Sequence, residues 1–147
     1  MKINTYSAKE TQAIAQLIGQ HAFNGMVLLL SGDLGAGKTT FTQGLALGLG
    51  IQKTVSSPTF TIMKNYQGRF RMNHLDAYRL EGLHQDLGFE ELINSDAITV
   101  IEWPNYIKEL WPTDYLMITF KRMDENSREI ELIAQGPLYL DLLEKLV

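Results

Sequence analysis

The feature that most constrains this chain is the octapeptide Gly32-Asp33-Leu34-Gly35-Ala36-Gly37-Lys38-Thr39, which fits G-x-x-x-x-G-K-[ST] at every specified position. Before it stands Met26-Val27-Leu28-Leu29-Leu30, an unbroken apolar run of the kind found in strands buried on both faces of a parallel sheet. After it, the spacing predicts a helix over Lys38 to Leu49, closed by Gly50 as a C-cap. A strand, a glycine-rich turn and a helix form a phosphate loop: the glycines let backbone amides turn inward around an anion. The helix N-terminus after Gly37 adds positive potential. Gly35, Ala36, Gly37, Lys38, Thr39 and Thr40 are therefore the candidate nucleotide-binding residues. The Lys38 side chain is placed for β- and γ-phosphates and the Thr39 hydroxyl for Mg²⁺.

The rest of the chain suits an α/β reading. At 147 residues it has the size of one domain, taken as 1–147. A 45% hydrophobic and 20% charged composition supports a packed core. A net charge of −4 argues against binding nucleic acid by charge alone. With no cysteine, disulfides, thiolate metal sites and cysteine nucleophiles are excluded. No long apolar stretch follows Met-Lys-Ile-Asn, so neither a signal peptide nor a membrane span is expected, and a cytoplasmic location is. The capping box Ser7-Ala8-Lys9-Glu10 opens a helix with Ile14, Leu17 and Ile18 on one face, stopped by Asn24-Gly25. Thr59 to Tyr66 and Arg69 to Leu75 read as a hairpin around Gln67-Gly68, and residues 82–96 as short helical pieces. Ile98 to Ile101 is a further buried strand, and Pro104 to Leu110 a helix with proline in its first turn. Tyr115 to Lys121 pairs with Arg128 to Ala134, and Pro137 to Leu146 is a terminal helix. The expected fold is a single-domain P-loop NTPase: a mixed, mostly parallel sheet flanked by helices, with antiparallel additions.

Such a loop needs acids across the sheet. Glu102, ending the strand Ile98 to Ile101, has the form of a Walker-B metal acid. Asp76, in His74-Leu75-Asp76-Ala77-Tyr78-Arg79, either pairs with Arg79 or has a functional role, orienting the attacking water or completing the metal shell. Ser56 to Thr61 stands where a switch loop would, and reads equally as a polar loop with a proline turn. Trp103 is a candidate for stacking on a base or ribose, or for the core. His21, His74 and His84 lack metal-ligand spacing and read as structural. No N-K-x-D sequence is present, which favours adenine over guanine. Lys53, Lys64, Arg69, Arg71 and Arg79 make a basic stretch, followed by the acids Glu81, Asp86, Glu90, Glu91, Asp96 and Glu102. This pattern gives either two solvated faces or a basic docking surface for an acidic partner.

Gly32 to Phe41, Ser57-Pro58-Thr59-Phe60-Thr61, His74 to Arg79 and Val100-Ile101-Glu102-Trp103-Pro104, in that order, resemble the TsaE family. These are small bacterial P-loop ATPases of tRNA threonylcarbamoyladenosine biosynthesis. The resemblance implies ATP and Mg²⁺ as ligands and weak ATPase activity alone. It also implies assembly with partners of the TsaB and TsaD families. That complex modifies the adenosine next to the anticodon, position 37, in tRNAs reading ANN codons. By position it implies Lys38 and Thr39 for phosphate and metal, Glu102 for metal, Asp76 as catalytic acid and Trp103 near the nucleotide. Lys38 is counted with Asp76 as catalytic. It further suggests adenine contacts near Tyr6 to Thr11. Ala77 stands where a larger apolar residue is common. Competing readings are a P-loop small-molecule kinase, which would need an acceptor pocket and an arginine-bearing lid, and a nucleotide-binding module that never hydrolyses ATP.

Overall fold

In a computed structural model of the chain, the residues described are 1–33, 35–56, 63–80, 89–93 and 95–147. The strands are β1 (Lys2–Thr5), β2 (Val27–Ser31), β3 (Met63–Gln67), β4 (Arg71–Asp76), β5 (Ile98–Glu102), β6 (Tyr115–Arg122) and β7 (Arg128–Gln135). The helices are α1 (Ala8–Gln20), α2 (Lys38–Gly48), α3 (Phe89–Ile93) and α4 (Pro137–Lys145), with 3₁₀ segments at Ala77–Leu80 and Pro104–Leu110. One sheet holds all seven strands in the order β1-β7-β6-β2-β5-β4-β3. Its centre is parallel, β6 to β2, β2 to β5 and β5 to β4, and antiparallel pairs flank it on both sides. This is the mixed α/β sheet expected from the sequence.

The unbroken apolar run of β2 is explained by its two neighbouring cores. Leu28 and Leu30 point into the larger one with Ile18, Phe41, Leu45, Val100 and Leu132. Val27 and Leu29 point into the smaller one with Leu75, Ile101 and Ile107. Period-two alternation is present in the direction of the side chains and absent from their chemistry, because both faces are dry.

Local signals set the helix ends. Ser7 caps α1 by accepting the Glu10 amide at 3.2 Å, and Glu10 returns by accepting the amide of Tyr6, one residue earlier than in a standard capping box. Gly50, at φ +75°, closes α2: its amide reaches the Leu47 carbonyl at 3.1 Å and the Ile51 amide reaches Ala46 at 2.9 Å. These two bonds form a Schellman motif, which needs the left-handed residue that glycine supplies. Helix α1 stops at Gln20, before Asn24-Gly25. Pro104–Leu110 is 3₁₀ rather than one α-helix, kinked where Ile107 leaves helical geometry at φ −135°. β1 has no sequence counterpart: four residues are too short for a period to register, and pairing with β7, Ile3 opposite Ile130, creates the strand. Among the described residues no helix is long and apolar enough to cross a membrane.

α1 and α2 approach almost backbone to backbone. A Cβ at Gly44 would run into the backbone of Gln12, and one at Gly19 would stand 2.9 Å from the Gly48 Cα. Arg69 locks the same pair from below: Nη1 donates to Gly48 O at 3.0 Å and Nη2 to Gly19 O at 2.8 Å. A cation among C-terminal helix carbonyls is favourable both as a hydrogen-bond donor and as a charge.

Gly44→Ala tests this contact because two effects oppose each other. Alanine favours a helix interior by about 1 kcal/mol, while overpacking costs about 1–3 kcal/mol. The clash is with rigid backbone, so the expected result is net destabilisation by about 1–2 kcal/mol in urea unfolding. A neutral or stabilising outcome would mean that the helices stand further apart.

Candidate functional site

The loop between β2 and α2 starts at the C-terminal edge of the parallel strands. In the ladder, Leu30 of β2 lies opposite Glu102 of β5, and Glu102 lies opposite Asp76 of β4. One row of the sheet therefore carries the root of the loop and both candidate acids. Glu102 and Asp76 follow the buried residues Ile98, Val100, Met72 and His74 at period two, so both project to the α2 side.

Gly37 is the N-cap residue of α2 at φ +114°, and no side chain caps the helix there. An L side chain rarely adopts that conformation, so glycine is required where the chain enters the helix. Lys38, 5% exposed, crosses the cleft and donates from Nζ to Gly32 O at 2.6 Å. Its ammonium lies 3.9 Å from the centroid of the Trp103 ring. Trp103 is held at φ 57°, ψ 51°, the one non-glycine residue at positive φ among those described. Such strain persists only where surroundings enforce it: its amide donates to Leu30 O at 3.3 Å, and its ring packs on Tyr78 and Tyr106 at centroid distances of 5.3 and 6.5 Å.

The ionisable groups are mutually dependent. Burial pushes the Lys38 ammonium below its ordinary pKa, opposed by the nearby charges of Glu102, Asp76 and Asp33. Burial pushes the Asp76 carboxyl upward. The Tyr78 amide, donating to Oδ1 at 3.0 Å, opposes that shift, Glu102 adds to it, and Lys38 and His74 work against it. His74, fully buried, meets Glu102 with Nε2 to Oε2 at 2.6 Å. Its Nδ1 has no hydrogen-bond partner among the described residues.

The loop, Glu102 and Arg128 enclose a cleft of about 170 Å³, with Gly35, Gly37, Lys38, Thr39 and Thr40 on its wall. Beside it lies a smaller pocket of about 90 Å³, lined by Ser7, Ala8, Thr11, Gly37, Thr40 and the β6–β7 turn. Among the described residues no three His, Cys, Asp or Glu side chains cluster as a metal cage.

The structure thus gathers Gly35, Gly37, Lys38, Thr39, Thr40 and Glu102 around one cleft. Asp76 adjoins Glu102 in the ladder, and Ala36 is buried within the loop. Trp103 covers the Lys38 ammonium. Residues 57–61 of the expected switch loop, with His84, Glu81 and Asp86, lie outside the described residues. So does the side chain of Arg79, the alternative partner of Asp76. Among the described residues of the basic stretch, two cations are engaged within the fold. Arg69 is tied to helix carbonyls and Lys64 donates to Ser56 Oγ at 2.6 Å. Arg71 begins the strand that Asp76 ends, roughly 16 Å away at 3.3 Å per residue. A docking event at Arg69 and Arg71 is therefore remote from Asp76.

Two residues escaped the sequence reading. His74 was assigned a structural role, and its contact with Glu102 brings it to the site. Arg128 was seen only as the start of a strand. It bonds the phosphate loop from 92 positions away in sequence, a separation that no local pattern records.

Fold and site together define a protein of the P-loop class. Residues 5–130 match the family model described as threonylcarbamoyl adenosine biosynthesis protein TsaE. The chain is 46% identical over 147 residues to the tRNA threonylcarbamoyladenosine biosynthesis protein TsaE of Bacillus subtilis, covering 99% of this chain and 93% of that protein. It is 38% identical to the protein of the same name from Treponema pallidum, covering 88% and 98%. The crystal structure of Bacillus subtilis YdiB superposes with a TM-score of 0.86 at 40% identity, covering 99% of this chain and 93% of that one. The chain belongs to the TsaE family, which serves tRNA threonylcarbamoyladenosine biosynthesis.

The raised Asp76 pKa makes a stability prediction. A carboxyl whose folded pKa lies above its unfolded value near 3.8 costs stability once it ionises. The cost is absent below the unfolded pKa, grows as pH rises through the folded one, and is complete at neutrality. Asp76→Asn keeps the Oδ1 acceptor for Tyr78 and removes the charge. It should therefore raise the thermal midpoint at pH 7, with the advantage shrinking as pH falls towards 4. A destabilised variant at pH 7 in paired melts would contradict the assigned burial cost.

Proposed function

We propose that this protein binds ATP with Mg²⁺ in the cleft at the end of β2. It hydrolyses ATP as the ATPase subunit of cytoplasmic tRNA threonylcarbamoyladenosine synthesis. The observation that carries the reading is the buried Lys38 ammonium among the end of β2, Trp103 and the two carboxylates of the same sheet row. In a phosphate loop that arrangement addresses a triphosphate and its metal. Adenosine fits the α1 side, where Ser7, Ala8 and Thr11 line the adjoining pocket and Tyr6 is 64% exposed.

The available donors suit Mg²⁺. Thr39 contributes a hydroxyl and Glu102 a carboxylate, and Asp76 stands in the same row. Magnesium is commonly held by one or two carboxylates plus phosphate oxygens, without a dedicated protein cage. When bound, the metal neutralises charge developing on the β- and γ-phosphates. Lys38 supports the same oxygens. Glu102, fixed by His74, orients the metal side, while Asp76 aims the attacking water at the γ-phosphorus. Trp103 limits the reach of Lys38 and screens it from water.

Membership of the TsaE family supports the further reading that hydrolysis resets or activates a transferase formed by two partners of the TsaB and TsaD families. That complex acts on the adenosine at position 37 of tRNAs reading ANN codons. With a net charge of −4, this chain reaches tRNA through the complex rather than alone.

Three variants separate the roles. Lys38→Ala should lower ATP affinity at least tenfold, about 1.4 kcal/mol, in calorimetry. Glu102→Ala should weaken Mg²⁺-dependent binding more than metal-free nucleotide binding. Asp76→Asn should retain ATP affinity within a few-fold and lose phosphate release in the presence of partners. Normal turnover by both acid variants, or unchanged threonylcarbamoyladenosine in tRNA after gene deletion, would overturn the proposal.

A further inference from the structure

The guanidinium of Arg128, at the first residue of β7, is turned onto the phosphate loop, and its recorded hydrogen bonds all go to backbone carbonyls. Nε donates to Ala36 O at 3.1 Å and Nη2 to Gly35 O at 3.3 Å. Nη1 donates to Asp124 O, Glu125 O and Ser127 O at 3.0, 3.3 and 2.9 Å. No carboxylate forms an ion pair with it among the described residues. An arginine can hold two sets of acceptors at once because its five donors radiate from a rigid plane; a lysine ammonium cannot.

We propose that Arg128 is a positioning residue that fixes the phosphate loop for triphosphate binding. The inference rests on the nucleotide reading above and adds to it a residue and a route. Across a trans peptide, the C=O of one residue and the N–H of the next point in opposite directions. Holding Ala36 O against the guanidinium therefore directs the Gly37 amide away from it, and holding Gly35 O does the same for the Ala36 amide. The Ala36 amide is taken up by Asp33 O at 3.1 Å, which tightens the turn. The Gly37 amide is thereby held in one direction instead of rotating, as an amide that is to serve an anion nest must be. Gly37 and Gly35, at φ +114° and +75°, have no side chain to enforce this geometry, and glycine peptides rotate readily. Arg128 supplies the missing restraint.

The other half of the fork explains what holds Arg128 in place. Asp124 Oδ1 accepts the amides of Asn126 and Ser127 at 2.9 and 2.8 Å. This Asx turn shapes the β6–β7 connection whose carbonyls bind Nη1. Asp124 lines neither the cleft nor the pocket beside it. The β6–β7 turn reaches the loop through Arg128, while Glu125 and Asn126 of the same turn line the adjoining pocket, so the base-free tripolyphosphate is the ligand that isolates the Arg128 route.

The test measures binding of MgATP and of inorganic tripolyphosphate, which has no base. The proteins are wild type, Arg128→Lys, Arg128→Gln, Asp124→Ala, Asp124→Ala with Arg128→Lys, and Lys38→Ala. All are full-length and measured well below their melting points. Both Arg128 variants should lose at least tenfold for both ligands. Asp124→Ala should lose about three- to tenfold in the wild-type background and nothing further beside Arg128→Lys, since coupled residues are non-additive. Arg128 variants that melt earlier but bind within twofold of wild type would reduce Arg128 to a structural tie and overturn the proposal. Full binding by Arg128→Lys with loss only in Arg128→Gln would also overturn it, by assigning the effect to charge alone. If Arg128→Gln does not fold, Arg128→Lys and Asp124→Ala decide the matter. Wild type that binds neither ligand would instead refute the nucleotide reading. Loss in Lys38→Ala without loss in the Arg128 variants would refute this inference only.

Discussion

The site depends on the parallel register that sets Leu30, Glu102 and Asp76 in one row of the sheet. Because side chains alternate along a strand, a slip of one residue in β4 or β5 would send its acid to the opposite face. The register is pinned by apolar residues on both sides. Val100 and Leu28 face the larger core, and Ile101, Leu75 and Leu29 the smaller. A slip would drive Glu102 or Asp76 into dry packing, at far greater cost than a misplaced methyl group. The same forces that close the core therefore aim the carboxylates. The loop needs no separate device to find them, since it leaves β2 from the same row.

Concentrating polar groups here opposes stability. Lys38, His74, Asp76 and Glu102 are all buried or nearly so, His74 Nδ1 lacks a partner among the described residues, and Trp103 is held in the left-handed region. A buried, partly satisfied network of this kind is worth less than an apolar core of equal volume. The offset comes from β2 and its neighbours, whose Leu28, Leu29, Leu30, Ile98, Ile101, Leu116 and Ile118 are fully enclosed. Each such side chain contributes about 1.5–3 kcal/mol of burial. Burial pushes the Asp76 carboxyl upward and the Lys38 ammonium downward, so both charged forms are held at a cost to the fold.

Much of this was legible in the sequence, for identifiable reasons. The phosphate loop, β2, α2 and Glu102 are encoded by contiguous residues whose spacing reflects backbone geometry. Gly37 is the clearest case, since only glycine readily takes φ +114° at that helix start. Structure created by distant pairing was not legible. β1 exists because β7 lies beside it, and Lys2-Ile3-Asn4-Thr5 alone has too little pattern to announce a strand. His74 resembled any buried histidine until β4 and β5 came into register and brought Nε2 to Glu102. Arg69 counted towards a basic patch in the sequence, whereas in the fold its guanidinium closes the C-terminal ends of α1 and α2. Charge tallies cannot separate these cases, because a cation committed to carbonyls has the same sequence signature as one facing solvent.

The balance of charge at the site also bears on the order in which its ligands are accommodated. Lys38 is the cation that opposes Asp76 and Glu102, and its own charged form is disfavoured by burial. On the proposed reading, a triphosphate arriving without metal would satisfy Lys38 but place further negative charge beside both acids. A divalent cation arriving alone would satisfy the acids and repel Lys38. Either ligand leaves one sign in excess in a partly buried space, where screening by water is weak. Bound together, the metal lies between phosphates and acids that would otherwise repel, so on the proposed reading the triphosphate binds more tightly with Mg²⁺ than without it. The single row of the sheet concentrates that coupling, because it sets both acids beside the one ammonium that faces them.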